Sequence, residues 1–174
     1  MTDQTVPVRP WGKLALIFVV VFELLGWLSG YVSQSGFGND WFDALAKPSF
    51  MPPGWAFGVV WPILYAFLGI AVAMIVALPD SPERRSALIL FWIQMALNFA
   101  WSPIFFAVHD ITLAKFIIFI MAGLAAMAAG KFYRLQRVAG LLMLPYLMWL
   151  VFAATLNASI DNMNPGAGVS LLGF

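Results

Sequence analysis

In the segment Lys47–Tyr65, KPSFMPPGWAFGVVWPILY, a proline-rich aromatic loop leads directly into a membrane-length apolar helix. Pro48, Pro52 and Pro53 each hold φ near about −65° and lack an amide donor, so this part of the chain is predicted to be extended and stiff. Helical character is predicted to begin near Gly54. The segment therefore predicts a rigid loop joined without a break to a helix.

Four large aromatic residues follow within this short stretch: Trp55, Phe57, Trp61 and Tyr65. Trp61 and Tyr65 are four residues apart and share one helix face. One interpretation is an aromatic belt at the membrane surface, which suits Trp55 best. The other is a lid that leads to the aromatic wall of a cavity, and the position of Trp61, about two turns into the helix, favours it.

The composition is that of a polytopic, all-α membrane protein with one domain over residues 1–174. Hydrophobic residues make up 63% of the 174 residues, charged residues 10%, and the mean hydropathy is +0.90. The absence of cysteine excludes a disulfide framework and a thiolate metal site, and the single histidine argues against a multi-histidine centre. A net charge of +1 offers no case for nucleic-acid binding.

Five apolar runs are long enough to cross about 30 Å of hydrocarbon. They lie at about 14–32, 56–78, 86–108, 113–130 and 138–160. The long connection 33–54 is predicted to act as a lid, with a short helix over Trp41–Leu45 and Asp40 as its N-cap. Lys131–Arg137 is predicted to be a basic loop, and the tail after Asp161 to be disordered.

The basic residues are distributed unequally between the two ends of the five predicted helices. Two lie on the side of the lid, Lys47 and Lys115, and seven lie on the side of the N-terminus: Arg9, Lys13, Arg84, Arg85, Lys131, Arg134 and Arg137. The positive-inside rule therefore predicts a cytoplasmic N-terminus and an external lid.

Two predicted spans carry stripes that combine polar, aromatic and small residues. In the third span the spacing is 4, 3, 4, over Gln94, Asn98, Trp101 and Phe105. In the fifth it is 3, 4, 4, over Tyr146, Trp149, Ala153 and Asn157. Such amides belong in the interior of a bundle, either as interhelical links or as ligand-binding groups. The neighbouring aromatic residues favour a cavity.

The first and fourth spans suggest close helix packing. Gly26 and Gly30 form a GxxxG pattern, and Glu23 lies mid-span, where it is either a structural polar link or a group with a proton or ligand role. In the fourth span small residues repeat every four positions, at Ala122, Ala126 and Gly130 and again at Ala125 and Ala129. This pattern predicts a homodimer interface or, alternatively, the seating of the helix within one subunit.

Three separate motifs resemble the TspO/MBR family. They are WFDALAKPSFMPPGWAFGVVWPILY (Trp41–Tyr65), ALNFAWSPIFF (Ala96–Phe106) and LPYLMWLVFAATLN (Leu144–Asn157). The resemblance extends over all five spans in order, from about residue 14 to about 165. It implies a five-helix bundle, often a homodimer, that binds porphyrins, haem-related tetrapyrroles, sterols and synthetic benzodiazepine-type ligands. It also implies a bacterial cell membrane as the location.

The resemblance also implies a ligand pocket beneath the lid. Carried over residue by residue, the pocket falls on Trp41, Trp61, Asn98, Trp101, Trp149 and Ala153, with Asn157 as a neighbour. Light-dependent porphyrin degradation, known for some bacterial members, is assigned to the tryptophans that match Trp61 and Trp149. Two departures concern Phe50, where many members have tryptophan, and the absence of any basic residue after Arg137, which argues against the sterol-recognition pattern of animal members.

The residues and the resemblance together predict a membrane receptor or carrier for planar hydrophobic ligands, most of all protoporphyrin IX and haem-related tetrapyrroles, with a role in porphyrin regulation or stress sensing. No cofactor is required for that role. The alternatives are an enzyme that degrades porphyrin with light and oxygen, and a structural scaffold whose aromatic residues only pack. The full predicted ligand-binding set is Trp41, Trp55, Trp61, Tyr65, Asn98, Trp101, Phe105, Tyr146, Trp149, Ala153 and Asn157.

Overall fold

The computed structural model describes residues 10–169 and 171, and within them the chain is an all-α bundle without strands. Its helices are α1 Gly12–Val32, α2 Asp40–Ala44, α3 Gly54–Val76, α4 Pro82–Ser102, α5 Ile111–Leu135, α6 Arg137–Leu142 and α7 Leu144–Met163. A π-helical turn, Pro103–Ala107, continues α4. Within the described residues, five helical segments are long and apolar enough to cross a membrane: α1, α3, α4 with its π-turn, α5, and α6 with α7. The five-span prediction is confirmed.

Two predicted boundaries are wrong at the end of the bundle opposite the lid. The third span begins at Pro82 rather than at residue 86, because Ser81 Oγ accepts the amide of Arg84 at 3.1 Å and caps the helix there. The predicted basic loop over Lys131–Arg137 is largely helical, since α5 continues to Leu135 and only Gln136 is extended. That run contains no glycine or proline to end a helix.

Glycines set the distance between α1 and α3. The ring of Tyr65 lies against Gly26, so the predicted close contact at this half of the GxxxG pattern is confirmed. On α3 itself, a Cβ added to Gly69 would lie 2.7 Å from the backbone nitrogen of Val19. Both contacts need a residue without a side chain. At Gly26 the space is filled by a ring, whereas at Gly69 two backbones come together as they do at small residues in membrane helix pairs.

The small residues of α5 divide between two faces. Ala125 and Ala129 are buried inside the subunit, which supports seating of the helix within the bundle. Ala126 and Gly130 are exposed, and no atom lies within 4 Å of a Cβ built at Gly130. The homodimer prediction for the second face stays a prediction.

The lid folds over the end of the bundle where α5 begins and α7 ends. Its short helix α2 is capped by Asn39, whose Oδ1 accepts the amide of Phe42 at 3.0 Å, so the predicted cap at Asp40 is wrong by one residue. Phe42 and Leu45 are buried against a second apolar cluster that also contains Phe105, Phe106, Ile111, Ala114, Leu156 and Ile160. The larger apolar cluster, which we call the main core, includes Phe22, Leu68, Phe91 and Tyr146, and half-buried Trp101 contacts both clusters.

The prediction of a disordered tail after Asp161 is wrong for the described residues. Helix α7 continues to Met163, and the segment 164–169 then runs across the lid side of the bundle. Val169 donates its amide to the carbonyl of His109 at 3.1 Å. Hydrogen bonds of this kind pair the backbone groups of the tail and hold it against the bundle.

Candidate functional site

Five aromatic side chains from α3 and α7 form a continuous cluster, which we call the aromatic cluster: Phe57, Trp61, Tyr65, Trp149 and Phe152. The ring centroids of Trp61 and Trp149 are 6.3 Å apart, with the two rings nearly perpendicular. Trp61 lies 5.4 Å from Tyr65, and Trp149 lies 5.6 Å from Phe57 and 5.3 Å from Phe152. The predicted pair Trp61 and Trp149 is therefore in contact, although the two residues lie on different helices.

A groove of about 360 Å³ lies between α3 and α7 beside this cluster. It is lined by Val60, Ile63, Leu64, Pro145, Met148, Trp149 and Phe152. Ile63 and Met148 are exposed on the surface of the bundle, so the groove opens toward the surrounding lipid rather than toward water. Its size lies within the range of about 300–1,000 Å³ typical of small-molecule sites.

The indole nitrogen of Trp149 differs in its hydrogen bonding from those of two other predicted site tryptophans. Trp41 Nε1 donates to the carbonyl of Ala167 at 3.1 Å, and Trp101 Nε1 donates to the carbonyl of Ala114 at 3.1 Å. Trp149 Nε1 is buried and has no acceptor among the described residues. A buried donor without a partner is costly, so the described residues leave this N–H with an unmet hydrogen-bonding requirement.

Behind the aromatic cluster lies a chain of buried hydrogen bonds, the polar network, that joins α3, α4 and α7. Tyr65 Oη donates to Asn98 Oδ1 at 2.8 Å, Asn98 Nδ2 donates to Tyr146 Oη at 3.1 Å, and Tyr146 Oη donates to Gln94 Oε1 at 2.8 Å. The predicted stripe residues Gln94, Asn98 and Tyr146 are thus brought together, and both polar atoms of the Asn98 amide are used within the protein. This arrangement favours the role of Asn98 as an interhelical link.

Glu23 on α1 takes no part in the polar network. It is half-buried, and within the described part of the chain it has no hydrogen bond or ion pair. The described residues therefore do not support Glu23 as a structural polar link, and its proton or ligand role stays a prediction.

A second group of predicted residues lies under the lid. Trp101 stacks on Phe105 with centroids 5.0 Å apart, and Trp41 meets the edge of Phe105 at 5.7 Å. Trp41 also stacks on His109 at 4.2 Å. These three predicted residues form a layer between the lid and the bundle, in the second apolar cluster rather than in the aromatic cluster.

Three other predicted residues are placed differently. Trp55 is 71% exposed at the start of α3, which favours the aromatic-belt interpretation for this residue. Ala153 is half-buried against the main core. Asn157 is buried, and its Nδ2 donates to the carbonyl of Ile111 at 3.1 Å, which links α7 to the start of α5.

Phe57 and Phe152 belong to the aromatic cluster and Phe99 contacts it, but none of the three is in the predicted ligand-binding set. Phe152 lines the groove and lies three residues after Trp149, a helical spacing that is visible in the sequence. Phe99 lies 5.8 Å from Tyr65. Because it is adjacent to Asn98 in sequence, it does not share the helix face of the predicted stripe. Phe99 was recognisable only from the structure.

The side chains collected here can stack on a planar ligand and exchange hydrogen bonds with it. Comparison with known proteins agrees with this membrane architecture: the TspO/MBR family model matches residues 18–163. The chain is 37% identical over 152 residues to the translocator protein of Sus scrofa, a match that covers 84% of this chain and 90% of that protein.

Bacterial relatives give the same result. Identity to protein CrtK of Rhodobacter capsulatus is 34% over 128 residues, which is 72% of this chain and 79% of CrtK. Identity to the tryptophan-rich sensory protein of Cereibacter sphaeroides is 32% over 126 residues, which is 72% of this chain and 78% of that protein. With a bundle of five membrane-spanning helices and a family match that extends over all of them, the chain belongs to the TspO/MBR family.

Proposed function

We propose that this membrane protein is a receptor or carrier that binds a planar hydrophobic ligand, a tetrapyrrole such as protoporphyrin IX, at the aromatic cluster. The observation that carries the proposal is Trp149. Its ring lines the groove between α3 and α7, and its buried Nε1–H has no acceptor among the described residues. A ligand that stacks on the indole and also accepts this hydrogen bond fulfils both requirements of the site.

The chemistry of a tetrapyrrole fits these requirements. Its macrocycle is a large flat apolar surface, which an aromatic wall binds by offset and edge-on contacts. Its carboxylate side chains are acceptors, and a bond from a neutral donor to a charged acceptor is stronger than one between two neutral groups. The names of the relatives, translocator protein and tryptophan-rich sensory protein, are in keeping with a carrier or a sensor. Such a protein would regulate porphyrin or report stress.

The test is a titration of the purified protein with protoporphyrin IX, followed by quenching of tryptophan fluorescence. Trp149→Ala and Trp61→Ala should each weaken binding by about 5- to 150-fold, because about 1–3 kcal/mol of aromatic burial is lost. Trp149→Phe should weaken it less, since most of the apolar area is kept. Trp55→Ala is the matched control, because Trp55 is 71% exposed and remote from these ring contacts. Full affinity in folded Trp61→Ala and Trp149→Ala proteins would leave the aromatic cluster as packing only, as in a scaffold.

A second candidate function is light- and oxygen-dependent degradation of the bound porphyrin. The observation that favours it is the contact between two oxidisable indoles, Trp61 and Trp149, at 6.3 Å. Illumination with oxygen separates the two functions: a binder returns the porphyrin unchanged, whereas an enzyme yields a modified product. For an enzyme, Trp149→Phe should reduce product formation more than it reduces binding, because phenylalanine stacks but is much harder to oxidise.

A further inference from the structure

The side chain of Asn164 pairs with the backbone of a single lid residue. Ala46 donates its amide to Asn164 Oδ1 at 2.8 Å, and Asn164 Nδ2 donates to the carbonyl of Ala46 at 2.9 Å. Asn164 Nδ2 also donates to the carbonyl of Ile160, at 2.7 Å, in the last turn of α7. One amide group therefore joins the lid to the end of the last helix.

The chain that follows Asn164 makes a second attachment to the lid. We call residues 164–169 the strap. Trp41 of the lid donates its Nε1–H to the carbonyl of Ala167 at 3.1 Å and stacks on His109 at 4.2 Å. A Cβ at Gly168 would lie 2.6 Å from the carbonyl oxygen of His109, so the strap approaches the bundle too closely there for any other residue.

The helix end from which the strap begins is anchored to α5. Asp161, near the end of α7, accepts a hydrogen bond from Thr112 Oγ1 at 3.0 Å and forms an ion pair with Lys115. Both partners lie in the first turns of α5. The end of α7 is thereby tied to a neighbouring helix, and Asn164 is presented to the lid from a rigid base.

The lid is coupled in turn to the groove. Phe50 of the lid meets the edge of Phe152 with centroids 6.4 Å apart, and Phe152 lines the groove beside Trp149. Movement of the lid therefore removes an aromatic neighbour from one wall of the proposed binding site.

We propose that Asn164 is a positioning residue that holds the lid closed, so that release of the Asn164–Ala46 pair controls entry of a planar hydrophobic ligand to the aromatic cluster from the lid side, apart from the lipid-facing opening of the groove. The ligand part of this inference rests on the proposed function. Both bonds lie at the surface, where such pairs contribute modestly to stability, so the lid can open locally while the bundle stays folded.

The first measurement follows the lid without any ligand. Amide hydrogen exchange of residues 40–51 is recorded in lipid nanodiscs for the natural protein, for Asn164→Ala, and for the control Asn162→Ala, whose side chain is exposed in the last turn of α7. Loss of the pair should speed exchange at Ala46 by about tenfold, since two hydrogen bonds are removed, and the control should not change it. Equal exchange in Asn164→Ala and the natural protein would overturn the clasp.

A second variant weakens the attachment of the lid at another position of the strap. Gly168→Ala forces the strap away from His109 without touching Asn164, and should also raise exchange in the lid. Asn164→Asp keeps an acceptor for the Ala46 amide and loses the donor, so its exchange should fall between the natural protein and Asn164→Ala. Thermal melting of each variant confirms that the bundle is intact.

Stopped-flow quenching by protoporphyrin IX then tests control of access. In Asn164→Ala the association and dissociation rates should rise together, each by up to about tenfold, with the equilibrium affinity little changed, because the clasp favours one lid state without touching the ligand. Faster amide hydrogen exchange with unchanged association and dissociation rates of the porphyrin would overturn the gating role. Asn164 would then only hold the lid in place. An absence of saturable binding in the natural protein would instead overturn the proposed function, a result that exchange in the unliganded protein distinguishes from failure of the clasp.

Discussion

The phenolic hydroxyl of Tyr65 donates to Oδ1 of Asn98 over 2.8 Å, in a part of the bundle where both side chains are buried. Asn98 in turn donates a hydrogen bond to Tyr146. This chain of two phenol groups and one amide therefore fixes the rotation of three transmembrane helices relative to one another. The ring of Tyr65 also contacts Trp61 of the aromatic cluster. The polar network therefore orients the wall of the proposed binding site.

Asn98→Leu is expected to destabilise the protein, because the hydroxyl of Tyr65 loses its acceptor in the interior. The unpaired hydroxyl group should lower the free energy of unfolding by about 1–3 kcal/mol. Tyr65→Phe removes the same bond from the other side. The double variant should lose less stability than the sum of the losses in the two single variants, since both changes delete the same bond between Tyr65 and Asn98. Unfolding by heat or denaturant in detergent measures all three, and strictly additive effects would contradict a direct bond.

Gly69→Ala is expected to lower stability by about 1–3 kcal/mol through overpacking, because the new Cβ would lie 2.7 Å from the backbone of Val19. Gly123→Ala is the matched control. No atom lies within 4 Å of its added Cβ, so the change should be neutral or stabilising, as removal of glycine from a helix usually is. The melting temperature of Gly69→Ala should fall, whereas that of Gly123→Ala should stay the same or rise. A stable Gly69→Ala protein would mean that α1 and α3 pack less closely than described.

The charge asymmetry predicts an N-terminus in the cytoplasm and a lid outside, with seven basic residues on one side and two on the other. The chain has no natural cysteine, so single cysteines can be placed at will. Gln4→Cys and Ser49→Cys should react with an impermeant maleimide from opposite faces of sealed vesicles. Labelling of both from the same face would contradict five spans with this orientation.

The exposed small-residue face of α5 predicts a homodimer. Ala126→Phe should reduce crosslinking in mild detergent, because a bulky ring would hold two closely packed helices apart. Ala122→Phe is a poor comparison since Ala122 packs against the core of its own subunit. Met127→Phe, at an exposed neighbouring position that is already large, serves better as the control. Unchanged crosslinking in Ala126→Phe would place any dimer interface on another face.

Much of the fold could be predicted from the chain alone. Apolar runs of membrane length determine five spans, because each backbone polar group in hydrocarbon must be paired within its own helix. Helical periodicity placed Trp61 with Tyr65, and Trp149 with Tyr146, on shared faces. Resemblance to the TspO/MBR family then indicated that Trp61 and Trp149 belong to one site.

Tertiary structure decided which faces meet and what each polar group does there. Periodicity describes one helix at a time, whereas the pairing of Tyr65 with Asn98, 33 residues apart in sequence, depends on the rotation of two helices relative to each other. The clasp between Asn164 and Ala46, 118 residues apart, has no local signal for the same reason. The exposed position of Trp55 decided between the two interpretations that the sequence left open. The sequence by itself determined the helices and their apolar and polar faces, because these follow from neighbours along the chain. Only packing decided the aromatic cluster, the polar network and the strap, because their contacts join groups that lie far apart along the chain.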